Sequence, residues 1–398
     1  MIWWTMIGLV AAAIWLYLLV ARGGFWLARV RDDRADLPPA PDGQGARWPA
    51  VAAVVPARNE ADVIAQSIGS LMRQDYPGPF RIVLVDDGSS DGTAAEALQI
   101  AREVSRQAAG HGRHLDVLTG AALPAGWTGK LWALEQGTRH AKTSQAETID
   151  YYLLTDADIG HATDNLRTLV TRAEQEGRVL VSLMAKLSCT SLSERFLIPA
   201  FVFFFEMLYP FAWVADRNRK VAAAAGGCVL VRRDALERAG GIASVRSEII
   251  DDCALARRLK AEGSIWLGLT QRATSLRPYG GFRQIGRMIS RSAYAQLGYS
   301  PVLLAGTVLG MLLTYLAPPL LALFAEGPAR WAGLAAWLMM AVSFQPMLRF
   351  YRVSPAWGLA LPLIGAAYML FTFQSAIDVW RGRGGMWKGR AQAMAKGT

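Results

Sequence analysis

Uncharged apolar segments lie at both ends of this 398-residue chain, and they constrain its fold more than any other feature. The first runs from Ile2 to Val20, and the later ones are Val302 to Ala325, Trp331 to Met347 and Trp357 to Ile377. Each is close to the roughly 20 residues that a helix needs to cross a bilayer. The chain is therefore predicted to carry a membrane anchor over residues 1–22 and membrane helices over residues 301–378.

Two apolar segments have more than one interpretation. The first is either a cleaved signal peptide or an uncleaved anchor. The anchor is favoured, because no basic residue precedes the segment and ARGGFW is a poor cleavage site. A further stretch, Phe196 to Val214, carries Glu206 and two prolines, which favours a buried or interfacial helix over a membrane span.

Basic residues beside the apolar segments predict the orientation of the chain. The net charge is +10, and clusters such as ARGGFWLARVRDDR and RPYGGFRQIGRMISR flank the apolar runs. Such flanks are typical of the cytoplasmic side, so the region between Arg22 and Ser300 is predicted to face the cytoplasm at a bacterial inner membrane. Three full C-terminal spans would place the basic tail, residues 379–398, outside. One run is therefore expected not to cross simply, with Pro318-Pro319 as a candidate break.

Several other protein classes are disfavoured by composition. The three cysteines lack C-x-x-C spacing and cannot form a disulfide framework. The four histidines are not paired at zinc-ligand spacing, and His161 is expected at the surface. No nucleic-acid motif accompanies the positive charge, so nucleic acid is not an expected partner.

Between the apolar ends, short apolar runs alternate with amphipathic stretches. VAAVVP, FRIVLVDD, LDVLTG and DYYLLTDADI are predicted strands, and stretches such as TAAEALQIAREVSRQ and GKLWALEQGTRHA are predicted helices. This alternation indicates an α/β domain over residues 50–300, with a mostly parallel sheet covered by helices. Such sheets bind ligands at the carboxyl ends of their strands, and the acidic residues of this chain follow those ends.

Two predicted strands end in paired aspartates. VDDGSSDGT contains Asp86 and Asp87, and TDADI contains Asp156 and Asp158. Turn formation explains Asp, Gly and Ser at such places. Carboxylates also accept hydrogen bonds from a base or a ribose, and residues two apart in an extended segment point to the same side. Asp156 and Asp158 are therefore a candidate site for Mg²⁺ or Mn²⁺, which prefer oxygen ligands and substrate phosphates.

Two further positions allow a structural and a chemical interpretation. Lys130 follows a glycine but lacks P-loop spacing, so it is either a solvated lysine at a helix start or a point charge for phosphate. Asp251 and Asp252 precede an amphipathic helix, where they suit either a helix cap or a general base that faces a substrate.

The joint order of these motifs resembles the family 2 glycosyltransferases of the GT-A fold. PARNE, VDDGSSDGT, GKLWAL, TDAD, GGCVLVRRDAL and DDCALARRL match the family's blocks in order, from about Val51 to Ser300. Longer phrases, among them PAGWTGKLWAL, SLMAKL and SAYAQLGYSP, resemble the hopanoid-associated branch. The resemblance implies a Rossmann-like mixed sheet, a nucleotide-sugar donor and a divalent metal ion.

The resemblance also implies roles for individual residues. Those expected to hold the donor or its phosphates are Pro56, Glu60, Asp86 or Asp87, Lys130, Asp156, Arg287 and Arg291. The expected metal ligands are Asp156 and Asp158. Asp252 is the expected catalytic base, with Asp251, Gly226 and Gly227 on the acceptor side. The acidic pairs should then lie at one edge of the sheet, with Asp252 facing them.

One block departs from the family's pattern. Many membrane members carry Q-x-x-R-W after the base, and here Gln284 and Arg287 fit whereas Met288 replaces the tryptophan. Arg287, and Arg291 one helical turn further on, have the alternative interpretation of membrane-surface charge. The missing tryptophan disfavours a processive polysaccharide synthase, in which that residue helps to hold the growing chain.

The resemblance implies an inverting transfer of a sugar to a lipid acceptor, with a hopanoid as the expected acceptor. A polyprenyl-phosphate glycosyltransferase would use the same donor site and is one alternative. A second alternative is a sugar-nucleotide-binding scaffold of a lipid-synthesis complex that performs no catalysis.

Overall fold

The computed structural model describes residues 2–33, 47–107, 113–143 and 148–382, and the backbone of 386–387 and 390–391. Most of the predicted basic tail, residues 379–398, lies outside the described residues. The chain divides into two compact units that alternate along the sequence. The apolar-helix unit comprises Met1–Arg29, Ser188–Trp213 and Tyr279–Gly385. The sheet unit comprises Val30–Leu187, Val214–Pro278 and Met386–Thr398.

The regular elements follow one another along both units. The strands are β1 (Val51–Ala57), β2 (Phe80–Asp86), β3 (His114–Thr119), β4 (Tyr151–Thr155), β5 (Ile159–His161), β6 (Arg178–Lys186), β7 (Cys228–Arg232), β8 (Ser264–Ser275), β9 (Met386–Trp387) and β10 (Arg390–Ala391). The α-helices are α1 (Ile2–Val20), α2 (Ile64–Met72), α3 (Thr93–Gln107), α4 (Gly129–Thr143), α5 (Asn165–Gln175), α6 (Leu192–Leu208), α7 (Phe211–Ala215), α8 (Arg233–Arg238), α9 (Asp251–Glu262), α10 (Phe282–Gln296), α11 (Pro301–Met311), α12 (Ala317–Phe324), α13 (Gly327–Tyr351) and α14 (Leu361–Trp380). Short 3₁₀ helices cover Phe25–Leu27, Ile242–Val245 and Pro355–Ala360, and a π turn covers Leu312–Leu316.

Among the described residues, eight strands form one mixed sheet in the order β3-β2-β1-β4-β7-β6-β8-β5. The pairs β3–β2, β2–β1, β1–β4 and β6–β8 are parallel, and β4–β7, β7–β6 and β8–β5 are antiparallel. All seven residues of β1 are buried, as expected of a central strand that is covered on both faces. The predicted α/β class with a mixed sheet is confirmed, although three antiparallel pairs make the sheet less uniformly parallel than strand–helix alternation suggested.

The strand order reverses at β1. The chain moves outward from β1 to β2 and β3, and then crosses back to place β4 on the opposite side of β1. These four strands are parallel, so their carboxyl ends share one edge. Open α/β sheets bind ligands at such a reversal. The fold therefore brings together the segments that follow β1, β2 and β4.

A glycine brings helix α4 close to the sheet. A Cβ atom at Gly137 would lie 2.3 Å from Cγ1 of Val54 and 3.1 Å from Cγ2 of Val85. Both valines are fully buried strand residues, so the neighbouring atoms have little space into which to move. Because α4 begins at Gly129, this close contact helps to set the position of Lys130 in its first turn.

Gly137→Ala is expected to lower the free energy of unfolding by about 1–3 kcal/mol, because overpacking forces shifts in a dense core. Gly69→Ala in α2 is the matched control, since its new Cβ would lie 2.9 Å from the flexible end of Arg73. Alanine also has the better helix propensity there, by about 1 kcal/mol. Denaturant unfolding followed by circular dichroism measures both variants, and wild-type stability of Gly137→Ala would contradict the packing argument.

Four helices among the described residues are long and apolar enough to cross a membrane: Ile2–Val20, Pro301–Phe324, Gly327–Tyr351 and Pro355–Trp380. They coincide with the apolar segments that the sequence placed at the two ends. Helix α6 is not among these four helices. It covers most of the stretch from Phe196 to Val214, for which a buried or interfacial helix was predicted. It has 17 residues, begins with a capping box of Ser191 and Glu194, and buries one face that includes Glu206.

The helix over Pro301–Phe324 continues through Pro318-Pro319, so the candidate break there is wrong, whereas a re-entrant course of this segment stays a prediction. The π turn at Leu312–Leu316 lies immediately before the two prolines. A proline has no N–H and crowds the preceding turn, and one wider turn accommodates it. In a regular α-helix the carbonyl of Thr314 would accept a hydrogen bond from the N–H of residue 318, but Pro318 has no N–H. The carbonyl instead accepts a 2.9 Å hydrogen bond from Nε1 of Trp15 in α1.

Candidate active site

Charged side chains converge at the carboxyl end of β4. Nζ of Lys130, from the first turn of α4, lies 2.8 Å from Oδ1 of Asp156 and 3.6 Å from Oδ2 of Asp251. Asp252 lines the same cavity, and its Oδ2 accepts a 2.9 Å hydrogen bond from the N–H of Gly226. Asp156 follows β4, and the acidic pair forms the first turn of α9. Three elements that are far apart in the sequence therefore build one cluster.

Gly226 and Gly227 allow the backbone to approach this cluster closely. A Cβ atom at Gly226 would lie 3.1 Å from Nζ of Lys130 and 3.5 Å from Oδ2 of Asp252. The carbonyl oxygen of Gly227 accepts a 2.7 Å hydrogen bond from the hydroxyl of Thr155. The glycine pair therefore connects the end of β4 to the carboxylate of Asp252. Its role is to position that carboxylate.

The charges in the cluster determine which groups hold protons. Burial would lower the pKa of Lys130, but the carboxylates of Asp156 and Asp251 raise it above its ordinary value, so the ammonium stays charged. Burial and then the charge of Asp251 raise the pKa of Asp252 to about 6, against the opposing effect of Lys130. A carboxylate with a pKa near 6 is suited to accept a proton near neutral pH.

The residues expected to hold a nucleoside lie at the ends of β1 and β2. Ala57 pairs with Asp86 in the register of the two strands, and the N–H of Asp87 donates to the carbonyl of Ala57 at 2.9 Å. Asp87 is 2% exposed, with its Oδ2 3.6 Å from Nη1 of Arg58. Asp86 accepts a hydrogen bond from a backbone N–H of its own turn, and Pro56 is buried within β1. The two acidic pairs thus follow β2 and β4 on either side of β1, and share one edge as expected.

Arg277 connects two of the expected site residues, although no motif indicated it. Its guanidinium pairs with Glu60, and its Nε lies 3.7 Å from Oδ2 of Asp158. Burial, and then the charges of Asp156 and Glu60, raise the pKa of Asp158 to about 6, whereas Arg277 opposes this shift. In the sequence, Arg277 is the first residue of the basic stretch RPYGGFRQIGRMISR, which was interpreted only as positive charge beside a membrane segment. Its partners lie more than 100 positions away, so no local pattern could reveal them.

Asp156 and Asp158 face different cations, Lys130 and Arg277. No group of three or more His, Cys, Asp or Glu side chains within the described ranges is arranged to hold a metal. Mg²⁺ and Mn²⁺ sites often use only one or two carboxylates, with substrate phosphates and water completing the coordination. Asp158 is half-buried and feels the charges of Asp156 and Glu60, and a cation would relieve this excess of negative charge. The pair therefore fits an ion that binds together with a diphosphate.

His161 is buried, and its expected surface position is wrong. Its Nε2 lies 3.1 Å from Oγ1 of Thr155, and its Nδ1 lies 2.9 Å from Nδ2 of Asn165. Because the Thr155 hydroxyl donates to Gly227, His161 donates from Nε2 and accepts at Nδ1. Burial lowers the pKa of His161 to about 4, so the ring is neutral. The histidine thereby supports the threonine that holds the glycine pair.

Arg287 and Arg291 lie in the apolar-helix unit, on the exposed side of α10. Ile285 and Ile289 are buried on the same helix, so α10 is amphipathic. The contact of the two arginines with phosphate stays a prediction.

Comparison with known proteins identifies most of the sheet unit. The family model described as glycosyl transferase family 2 matches residues 52–240. Residues 52–240 are therefore similar to a glycosyl transferase family 2 domain. The matched residues contain the two acidic pairs, Lys130 and the glycine pair. Asp252 and Arg277 lie beyond the matched residues, so their part in the site rests on the geometry alone.

Solved structures show similarity in fold. The mannosyltransferase PcManGT from Pyrobaculum calidifontis, in complex with GDP-Man and Mn²⁺, is 20% identical, covers 95% of this chain and 99% of its own, and has a TM-score of 0.54. Mannosyl-3-phosphoglycerate synthase from Rubrobacter xylanophilus is 16% identical, with coverages of 70% and 85% and a TM-score of 0.40. A search of curated proteins found no match. The family match and the mannosyltransferase structure support the GT-A fold, and neither supports the narrower hopanoid-associated branch.

Proposed function

We propose that this protein is a membrane-bound inverting glycosyltransferase that moves a sugar from a nucleotide-sugar donor to a lipid acceptor. The observation that carries the proposal is the convergence of Lys130, Asp156 and Asp252 beside the strand reversal at β1. The match to glycosyl transferase family 2 supports the reaction class. The long apolar helices at both ends support a lipid acceptor, and the longer sequence phrases favour a hopanoid.

Asp252 is the proposed catalytic base. It takes the proton from an acceptor hydroxyl while the acceptor oxygen attacks the anomeric carbon, and the bond from that carbon to the diphosphate oxygen breaks on the opposite face. One displacement of this kind inverts the configuration and needs no covalent intermediate. Asp252 is chosen over Asp251 because Asp251 pairs with Lys130, whereas Asp252 makes no ion pair with another described residue and has a raised pKa.

Lys130 is the proposed partner of the leaving diphosphate. Its charged ammonium is held in place by Asp156 and Asp251, near the place where negative charge would develop on the leaving group.

Asp156 and Asp158 are proposed to hold Mg²⁺ or Mn²⁺, which when bound would supply further positive charge to the diphosphate. The GDP-Man and Mn²⁺ of the structurally similar mannosyltransferase support a donor and ion of this kind. The residues proposed for the nucleoside and remaining phosphate contacts are Pro56, Glu60, Asp86 or Asp87, Arg287 and Arg291.

Sugar transfer to lipid tests the proposed function. The full chain, purified in detergent, is incubated with Mn²⁺ and labelled GDP-mannose or UDP-glucose, with a hopanoid or a polyprenyl phosphate as acceptor. The expected result is label in the hopanoid fraction. Label on polyprenyl phosphate alone would favour that alternative acceptor, and donor binding without any transfer would favour the scaffold. A lipid profile of cells with and without the gene would identify the natural acceptor.

The kcat/KM of sugar transfer is expected to rise as the pH increases through about 6. Asp252 accepts a proton only when ionised, and its pKa is about 6. Asp158 also has a pKa of about 6 and must be ionised to bind a cation, so two groups contribute to the acidic limb. Initial rates from about pH 5 to about pH 8 measure this limb. A profile that is flat down to pH 5 would contradict the assignment of Asp252.

A further inference from the structure

Arg277 brings a cation to carboxylates of the candidate donor site. Its guanidinium pairs with Glu60 and Asp158, and a third contact, at 3.4 Å, is made to Asp62. Glu60 is only 7% exposed and Asp158 is half-buried, whereas Asp62 is exposed. The guanidinium therefore balances negative charge that water screens poorly.

The backbone holds Arg277 beside Asp158. Strand β8 pairs with β5, so that Ser275 lies opposite Ile159, and the N–H of Leu276 donates to the carbonyl of Asp158 at 2.8 Å. Pro278 then restricts the backbone conformation of Arg277. The sheet thus anchors the base of the side chain, while the long side chain itself can change its direction.

A divalent ion and a guanidinium compete for the same carboxylates. Two cations a few ångströms apart repel each other strongly in a partly buried site. If Asp158 is to bind an ion at bonding distance, the guanidinium must move away from it. Lys130 creates a similar conflict at Asp156, the other proposed ligand, since its Nζ lies 2.8 Å from Oδ1 of that carboxylate.

Resting on the proposed function, we propose that Arg277 is the resident counter-cation of the donor site. It neutralises Glu60 and Asp158 while no donor is bound, and it withdraws from Asp158 when a divalent ion binds there. The ion alone therefore binds weakly. An ion accompanied by a diphosphate binds better, because the diphosphate adds oxygen ligands and offsets the repulsion between the two cations.

The test is Mn²⁺ binding to the full chain in detergent, measured by electron paramagnetic resonance of the free ion without nucleotide. At about pH 8, Arg277→Gln is expected to bind Mn²⁺ at least about tenfold more tightly than the wild type, since a neighbouring charge shifts the cation affinity of a carboxylate by this order. Mn²⁺ should also raise the melting temperature of Arg277→Gln more than that of the wild type.

Arg238→Gln is the matched control. Arg238 also faces two carboxylates, Asp234 at 3.0 Å and Glu262 at 2.9 Å, but it is exposed and lies outside the site. Its substitution removes the same charge and should leave Mn²⁺ affinity unchanged. Arg277→Lys is a second variant that keeps the positive charge, and it is used in case Arg277→Gln does not fold. Its compact ammonium loses the forked contact, so its Mn²⁺ affinity should fall between those of the wild type and Arg277→Gln.

Equal or weaker Mn²⁺ binding by folded Arg277→Gln would overturn the inference. If that variant does not fold, wild-type affinity in Arg277→Lys would overturn it instead. Failure of the wild type to bind Mn²⁺ even with GDP or UDP would overturn both this inference and the metal site of the proposed function. Wild-type binding in the presence of the diphosphate, combined with unchanged affinity in the variants, would overturn this inference alone.

Discussion

Asp252→Asn is expected to lower the kcat of sugar transfer by about 10³-fold, because the amide cannot accept the proton of the acceptor hydroxyl. The amide retains the size of the side chain, and its oxygen can still accept the hydrogen bond from Gly226. Donor affinity should therefore change much less than kcat. Steady-state rates, together with calorimetric binding of the nucleoside diphosphate, separate the two effects.

Asp234→Asn is the control for the alternative in which Asp252 only stabilises a helix end. Asp234 is the second residue of α8, as Asp252 is of α9, and both face the positive end of a helix dipole. Asp234 pairs with Arg232 and Arg238 outside the site. Asp234→Asn should therefore keep the wild-type rate. Wild-type lipid product from Asp252→Asn would show that another group is the base.

Lys130→Met is expected to lower kcat/KM by about 10²–10³-fold, because it removes a preorganised charge beside the leaving diphosphate. The change should also move the acidic limb of the pH profile to higher pH. Lys130 lowers the pKa of Asp252, so without the ammonium that pKa rises above about 6. A rate loss combined with this shift would link the lysine to the base. Rate measurements over the same pH range as for the wild type test both effects.

Lys142→Met controls for the loss of one positive charge from α4. Lys142 lies in the last turn of the helix and pairs with Glu237 at 3.0 Å on the surface. Its removal should change neither the rate nor the pH profile. If Lys130→Met keeps the wild-type kcat/KM, the lysine is a structural counter-ion for Asp156 and Asp251, and the diphosphate needs another partner.

Local patterns in the sequence were sufficient to predict β1 to β4 and the apolar helices at the two ends. VAAVVP predicted β1, and FRIVLVDD predicted β2 with its acidic end. The apolar runs at the two ends coincide with the four long apolar helices. These predictions succeed because hydrophobic periodicity and turn residues act over a few neighbouring positions, which a single sequence displays directly. The boundaries of the domains along the chain stay predictions, since the two compact units alternate in sequence.

The roles of the charged residues depended on partners far along the chain. From the sequence alone, Lys130 could be either a solvated lysine or a phosphate ligand. Arg277 was interpreted only as positive charge beside a membrane segment. His161 was predicted at the surface. The sequence alone determined β1 to β4, the apolar helices at the two ends and the acidic strand ends, whereas β6, β7 and β8 were not predicted. Only the tertiary structure decided which charges meet, because the order of β1, β4 and β7 brings together side chains that are separated by about 100 positions. Once they are buried together, their charges and hydrogen bonds, rather than local propensity, determine which groups hold protons.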